Sequence, residues 1–388
     1  MGAEWTGRHW RTGLAVTVRA AQGGVITDVV EAHGPVEGWI GPGLIDVQVN
    51  GMGGFNLNGE TSSADDVVGT VEALRREGVS RFCPTIVTAP QERMLASIAA
   101  VRQACEGDAL VDHAVLGIHV EGPYISPEDG PRGAHNPDWV RLPDWDEFIA
   151  WQDAAAGRIA MVTLAPELPG SMELIRRLAG QGVVAAIGHT AASVADVAAA
   201  VRAGATMSTH LGNGSHPVIK RHPNYIWAQL AEDRLWAGLI PDGFHLPLDT
   251  LDVMIRAKGA KAILASDASY LAQMPPGRYR THHGADVVLE PDGLLHLSRT
   301  RDILAGSAGT LRSGVENVVR HGIRTLGEAI DMASLHPAHL FSLAESGVGG
   351  LRVGGPADLI TFLWDDGPAG GDLVVTSTVS KGQVVFAA

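Results

Sequence analysis

Four side chains able to bind metal or move protons sit directly behind apolar runs. Glu121 follows Ala114-Val115-Leu116-Gly117-Ile118-His119-Val120, and His189 follows Val183-Val184-Ala185-Ala186-Ile187-Gly188. His210 follows a short run ending Met207-Ser208-Thr209, and Asp267 follows Ala262-Ile263-Leu264-Ala265-Ser266. One carboxylate and two imidazoles are a common ligand set for a divalent ion, and a free carboxylate beside them can carry protons. Taken singly, each has a plain explanation: a loop acid, a hydrogen-bonded histidine at a strand end, and for Asp267 a helix cap or an Asx turn. The argument rests on their repeated placement at successive strand ends. His119 stands two residues before Glu121, so both face one side of their strand, and Gly122-Pro123 then ends the strand with the carboxylate at its rim.

Such groups meet only if parallel strands carry them to one place. From Gly43 the chain alternates between strand-like and helix-like patterns, with strands expected at 43–49, 81–87, 114–120, 159–165, 183–188, 205–210, 235–240 and 262–266. Helical spacing is clearest over 63–78, 92–105, 170–180, 193–203 and 249–258. Eight strand–helix units predict an α/β fold, a (β/α)8 TIM-like barrel, in preference to a doubly wound open sheet. Barrels of this kind gather their chemistry at the C-terminal ends of the strands. The two chain ends read differently. Leu14–Arg19 and Val25–Val30 alternate around a Gln22-Gly23-Gly24 turn, and Leu359–Leu363, Leu373–Ser377 and Gln383–Phe386 are again β-like. We therefore expect residues 1–41 and 345–388 to form one small flanking β-sandwich and residues 42–344 to form the barrel.

The chain has 388 residues, 45% of them hydrophobic and 19% charged, the balance of a globular protein rather than a disordered one. Lys and Arg total 29 against 43 Asp and Glu, a net charge of −14, which repels phosphate backbones and argues against a nucleic-acid partner. It does not exclude a small anionic substrate, since one or two local cations can hold a phosphate. No apolar run approaches the roughly 20 residues that span a bilayer, and the opening Met-Gly-Ala-Glu-Trp-Thr-Gly-Arg-His-Trp lacks the apolar core of a secretory leader. Cys83 and Cys105 are the only cysteines and build no disulfide framework, so a cytoplasmic setting without membrane attachment is expected.

A series of short motifs in order resembles the N-acetylglucosamine-6-phosphate deacetylases of the amidohydrolase superfamily. They are Pro42-Gly43-Leu44-Ile45-Asp46-Val47-Gln48-Val49-Asn50-Gly51, His119-Val120-Glu121-Gly122-Pro123, Gly133-Ala134-His135-Asn136-Pro137, Gly188-His189-Thr190 and Thr209-His210-Leu211-Gly212-Asn213. Pro241-Asp242-Gly243-Phe244-His245, Ser266-Asp267-Ala268, Leu304-Ala305-Gly306-Ser307 and Gly354-Gly355-Pro356-Ala357-Asp358-Leu359 follow. The resemblance implies a metal bound by Glu121, His189 and His210, with Asp267 as acid and base. It implies that His245 polarises the amide carbonyl, that His135, Asn213 and Gly214 contact the sugar, and that Arg221 binds the 6-phosphate, in this family sometimes across a homodimer interface.

The chain also departs from the wider superfamily. Where many amidohydrolases carry His-x-His for a second metal, it has Gln48-Val49-Asn50, and neutral amides are poor transition-metal ligands. One divalent ion is expected, zinc first, with iron or another divalent ion as alternatives. Leu211-Gly212-Asn213-Gly214-Ser215-His216 and Lys220-Arg221-His222-Pro223-Asn224-Tyr225 differ from the usual family loops, and Pro127-Glu128-Asp129-Gly130-Pro131-Arg132 reads as an insert near the substrate mouth. The expected reaction is hydrolysis of an N-acetyl amino sugar phosphate, most simply N-acetylglucosamine 6-phosphate, to amine and acetate. The rivals are an amidohydrolase acting on another N-acyl amine or on an unphosphorylated N-acetyl sugar, and a non-catalytic barrel. The complete set of four rim residues argues against the last.

Overall fold

The computed structural model describes residues 2–281, 285–365 and 371–388. Met1 and 366–370 of the expected flanking domain, and 282–284 of the expected barrel, lie outside the described residues.

Eight parallel strands form the centre: β1 Leu44–Val49, β2 Val79–Val87, β3 Ile118–Glu121, β4 Ile159–Leu164, β5 Val184–Ile187, β6 Met207–Ser208, β7 Trp236–Leu239 and β8 Ala262–Leu264. Each pairs with its sequence neighbour, so the ladder runs unbroken from β1 to β8. The ring closes just beyond the last strand. Val49 bridges Ala268 in parallel, the Asn50 amide donates to the Ala268 carbonyl at 2.8 Å, and the Asp46 carboxylate accepts from the Ser266 amide at 3.2 Å. Strands covered on both faces must be apolar almost throughout, and every residue of β1 is buried.

Inside the ring the side chains lie in tiers. Val47, Met161, Val184, Ala186, Met207, Ile263 and Ala265 pack together in the lower part, where Leu340 from the helix Leu335–Leu340 meets them. Above them is a polar tier. His119 holds the Thr85 hydroxyl at 3.3 Å through Nδ1 and the Thr163 hydroxyl at 2.7 Å through Nε2, and Thr163 continues to Thr209 at 2.7 Å. The pairing of β1 with β2 shifts between Asp46 and Val49, which match Phe82 and Pro84. Three steps on one strand against two on the other make a bulge. It lets Val47 join the apolar tier while Gln48 reaches the rim.

Local sequence sets the helix starts. Ser63 and Asp66 form a reciprocal cap on Ala64–Arg76, and Ser193 and Asp196 do the same on Val194–Ala203. All strands but β2 are shorter than expected, and two lose three residues or more. β3 begins at Ile118 rather than 114, because Asp108 accepts from the Leu110 and Val111 amides and caps a helix that uses Ala109–Ala114. β6 keeps only Met207–Ser208 of the expected 205–210.

The chain ends form a separate seven-stranded sheet. From one edge its strands are Gln383–Ala387, Asp372–Ser380, Leu359–Asp365, Trp39–Pro42, Ala3–His9, Ala15–Ala20 and Ile26–Glu31. Leu359–Asp365 pairs directly with Trp39–Pro42, so the last part of the chain joins the first. Asp358 ties this sheet to the barrel. Its carboxylate accepts from Arg81 Nε at 2.9 Å, His113 Nε2 at 2.8 Å and the Lys381 amide at 2.8 Å. A second antiparallel sheet follows β8, from Gly277–Arg280, Asp286–Leu289, Leu295–Leu297 and Thr300–Leu304. Among the described residues no helix is long and apolar enough to cross a membrane.

Candidate active site

The ends of β3, β5, β6 and β8 bring Glu121, His189, His210 and Asp267 to one rim. His189, His210 and Asp267 each adopt the left-handed backbone region, with φ of 50°, 29° and 49°. Residues other than glycine occupy that region rarely, and His, Asp and Asn are among the types that tolerate it. The turn at each strand end thus swings the side chain back over the barrel mouth instead of out along the strand. Gly188 gives the first turn its room, because a Cβ there would lie 2.6 Å from the Thr163 methyl.

The Oε1 atom of Glu121 lies 2.9 Å from His210 Nε2 and 3.3 Å from His189 Nε2, and the two nitrogens are 3.0 Å apart. All three residues are buried, and their ligand atoms fall within 4.8 Å of one another. His189 Nδ1 lies 2.9 Å from the Pro131 carbonyl, which can only accept, so Nδ1 carries the hydrogen. In the neutral ring the Nε2 lone pair then faces a carboxylate oxygen. Two acceptors in contact need a cation between them, and a Glu/His/His donor set suits a divalent metal. Burial alone would raise the Glu121 carboxyl, but the two histidines outweigh it and hold it well below the usual carboxylate range.

Neighbours fix these side chains. Gln48 Nε2 donates to Glu121 Oε1 at 2.9 Å, and Asn50 Nδ2 donates to Asp267 Oδ1 at 2.8 Å. The imidazole of His189 is bracketed by two glycines. A Cβ at Gly133 would lie 3.2 Å from Cε1, and one at Gly214 would lie 2.8 Å from Nδ1. His135 approaches from the side, with Nε2 3.3 Å from His189 Nε2 and Nδ1 2.7 Å from the Thr88 hydroxyl. Burial pushes the Asp267 carboxyl up to about 6, and the negative charge of Glu121 adds to that. A carboxyl in that range can both take and return a proton near neutrality.

His245 follows β7 on a tight turn. Asp242 Oδ1 accepts from the Phe244 and His245 amides, both at 2.9 Å, while Oδ2 lies 2.6 Å from His245 Nδ1. His245 is among the charged groups acting on Asp267. The Asn213 amide donates to the His210 carbonyl at 2.8 Å, and its side-chain nitrogen is buried with no hydrogen-bond partner. Gly214 packs on the His189 ring. Arg221 stands apart. It is exposed, and its backbone carbonyl accepts from Asn224 Nδ2 at 3.2 Å. The insert and the histidine-bearing loop are clasped over this region by Glu128, His216 and Tyr225, with His216 Nε2 3.0 Å from Glu128 and Nδ1 3.0 Å from the Tyr225 hydroxyl.

Sequence reasoning overlooked Thr88 and the pairing of Asp242 with His245. The spacing of three residues within Pro241-Asp242-Gly243-Phe244-His245 carried a signal for the latter. It also took Gln48 and Asn50 only as missing ligands, whereas they donate to the carboxylates of the site.

The profile of the amidohydrolase family matches residues 39–385. The chain is 34% identical over 360 residues to the N-acetylglucosamine-6-phosphate deacetylase of Danio rerio, covering 89% of this chain and 84% of that one. It is 33% identical over 324 residues to the N-acetylgalactosamine-6-phosphate deacetylase of Escherichia coli O157:H7, covering 83% and 82%. Among solved structures, a mutant N-acetyl-D-glucosamine-6-phosphate deacetylase from Mycobacterium smegmatis, in complex with N-acetyl-D-glucosamine-6-phosphate, superposes with a TM-score of 0.86 at 29% identity, covering 100% of both chains.

Proposed function

The chain belongs to the amidohydrolase family, and from that premise we propose that it hydrolyses N-acetylglucosamine 6-phosphate to glucosamine 6-phosphate and acetate. The observation that carries this reading is the convergence of Glu121, His189 and His210 beside Asp267, in a chain resembling deacetylases of this substrate over nearly its whole length. In this reading residues 42–344 are the catalytic barrel, flanked by 1–41 and 345–388.

Glu121, His189 and His210 hold one divalent ion, for which we propose zinc. When bound, the ion polarises the acetyl carbonyl and makes water acidic enough to attack near neutral pH. Gln48 and Asn50 each donate an amide hydrogen, to Glu121 and Asp267 respectively, and neutral amides are poor transition-metal ligands, which supports one ion rather than two. Asp267, its Oδ1 held by Asn50, takes the proton of the attacking water on its other oxygen. It returns that proton to the amine nitrogen as the C–N bond breaks, without which the amine would leave as a poor anion. His245 donates a hydrogen bond to the carbonyl oxygen as negative charge develops there. His135, fixed through Thr88, and the unpartnered amide of Asn213 face the sugar, with the backbone of Gly214 beside them.

Arg221 binds the 6-phosphate from a second copy of the chain. The exposed apolar side chains near it, Val218, Ile219 and Trp227, suit a homodimer interface that would carry the arginine to the neighbouring mouth. A doubly charged sugar phosphate does not cross membranes unaided, which fits action in the cytoplasm.

The test is acetate release from N-acetylglucosamine 6-phosphate, its galacto epimer, and unphosphorylated N-acetylglucosamine. Metal-dependent turnover that strongly favours a phosphorylated sugar is the expected result. Preference for the galacto epimer would move the assignment to the second relative's substrate. Equal turnover with and without phosphate would remove the role of Arg221.

A further inference from the structure

We propose that Asp242 is a positioning residue for the deacetylation, holding His245 as an imidazolium that donates from Nε2 to the developing oxyanion. The proposal rests on the reaction assigned above. It begins from a conflict of hydrogen-bond roles. A carboxylate only accepts, so the 2.6 Å contact between Asp242 Oδ2 and His245 Nδ1 places a hydrogen on Nδ1. In a neutral ring Nε2 would then hold a lone pair. A lone pair repels a carbonyl oxygen gaining negative charge. His245 can serve that oxygen only if both nitrogens are protonated, and an adjacent buried carboxylate stabilises that state.

Two features support this over a purely local role. Asp242 divides its work, with Oδ1 capping the turn through the Phe244 and His245 amides and Oδ2 left for the imidazole. Both side chains are nearly buried, at 8% and 10% exposure, so water screens their pairing little. Burial would raise the Asp242 carboxyl, but the contact with His245 outweighs it and holds it low. Asp242 on its own turn contacts the His245 ring, and Asp267 from the loop after β8 feels its charge. The Nε2 proton stays on His245 throughout. It is shared with the oxyanion and not transferred, so the proton traffic remains with Asp267.

Asp242→Asn separates the two roles. The asparagine oxygen can still cap the turn. Its NH2, now opposite Nδ1, forces the neutral tautomer with hydrogen on Nε2, so a donor remains but the charge is lost. We expect kcat to fall about 10- to 100-fold with KM changed less than about threefold. The alkaline limb of the pH–rate profile should move down by about one pH unit or more. In a His245→Gln background the same change should add no further loss, as a double-mutant cycle requires of residues acting as a unit. An NMR titration of the His245 ring in the metal-loaded, substrate-free protein reads the same effect without turnover. The imidazolium should persist to higher pH in the parent than in Asp242→Asn. An unchanged alkaline limb, an unchanged ring titration, or equal losses with and without His245 would overturn the proposal and leave Asp242 as a turn cap. A parent enzyme inert on every acetylated sugar, with the ring titration as expected, would sink the assigned reaction and spare the pairing.

Discussion

At the scale of single residues, the rim divides its labour in a way that substitution can separate. Glu121→Gln removes the anionic ligand and keeps the shape. We expect bound metal per chain to fall by about an order of magnitude or more under dialysis against weak chelator, measured by elemental analysis. Asp267→Asn should leave metal content near that of the parent while kcat drops about 10²- to 10⁴-fold. Full metal with full activity in that variant would remove Asp267 from the mechanism. The pH profile carries its own sign. Asp267 acts as base when deprotonated, and burial places its carboxyl at about 6. A bound cation can only lower that value. The acid limb of kcat/KM should therefore lie at or below about pH 6, and activity that rises as pH falls through that range would contradict the role. The four rim residues were legible because each follows an apolar run. What could not be read was their support. Gln48 and Asn50 act through hydrogen bonds that cross from β1 to the ends of β3 and β8, and no local pattern reports such a pairing.

At the scale of elements, the barrel strands were legible because burial on both faces forces apolar runs, and two helix starts carry a sign in the capping pairs Ser63/Asp66 and Ser193/Asp196. Two features were not legible. The bulge in β1 has no glycine to mark it. Ala3–His9 is largely exposed and Trp39–Pro42 is only four residues long, and the pairing of Trp39–Pro42 depends on a partner far along the chain. The antiparallel sheet after β8 did leave a sign, since Pro291-Asp292-Gly293 separates Val287-Val288-Leu289 from Leu294-Leu295-His296-Leu297. The junction between barrel and flanking sheet yields a stability prediction. Asp358 is 6% exposed, and although burial would raise its carboxyl, His113 and Arg81 hold it below the usual range. A carboxyl lowered on folding stabilises above its unfolded value near about 4 and loses that contribution as pH falls through the lowered value. Asp358→Asn should cost about 3 kcal/mol in urea unfolding at neutral pH. Parent and variant should converge in strong acid, and a gap that stays constant with pH would mean that the charge is not what matters.

At the scale of the whole molecule, the homodimer reading predicts a particle of twice the 40.7 kDa chain in light scattering. Trp227→Glu should return it to one chain. If Arg221 serves the neighbouring mouth, that variant should also raise KM for the phosphorylated sugar by about tenfold or more, while leaving the unphosphorylated sugar unaffected. The backbone at the barrel rim has a consequence for how such a chain can decay. His189, His210 and Asp267 hold the left-handed conformation that glycine alone adopts freely. Alanine there pays about 1 kcal/mol that glycine does not, so the glycine variant at each position should melt higher than its alanine counterpart. Both would be catalytically silent. A lineage released from selection for the reaction could therefore lose these side chains to glycine and gain a more relaxed rim, leaving a folded barrel with no trace of failure except missing chemistry.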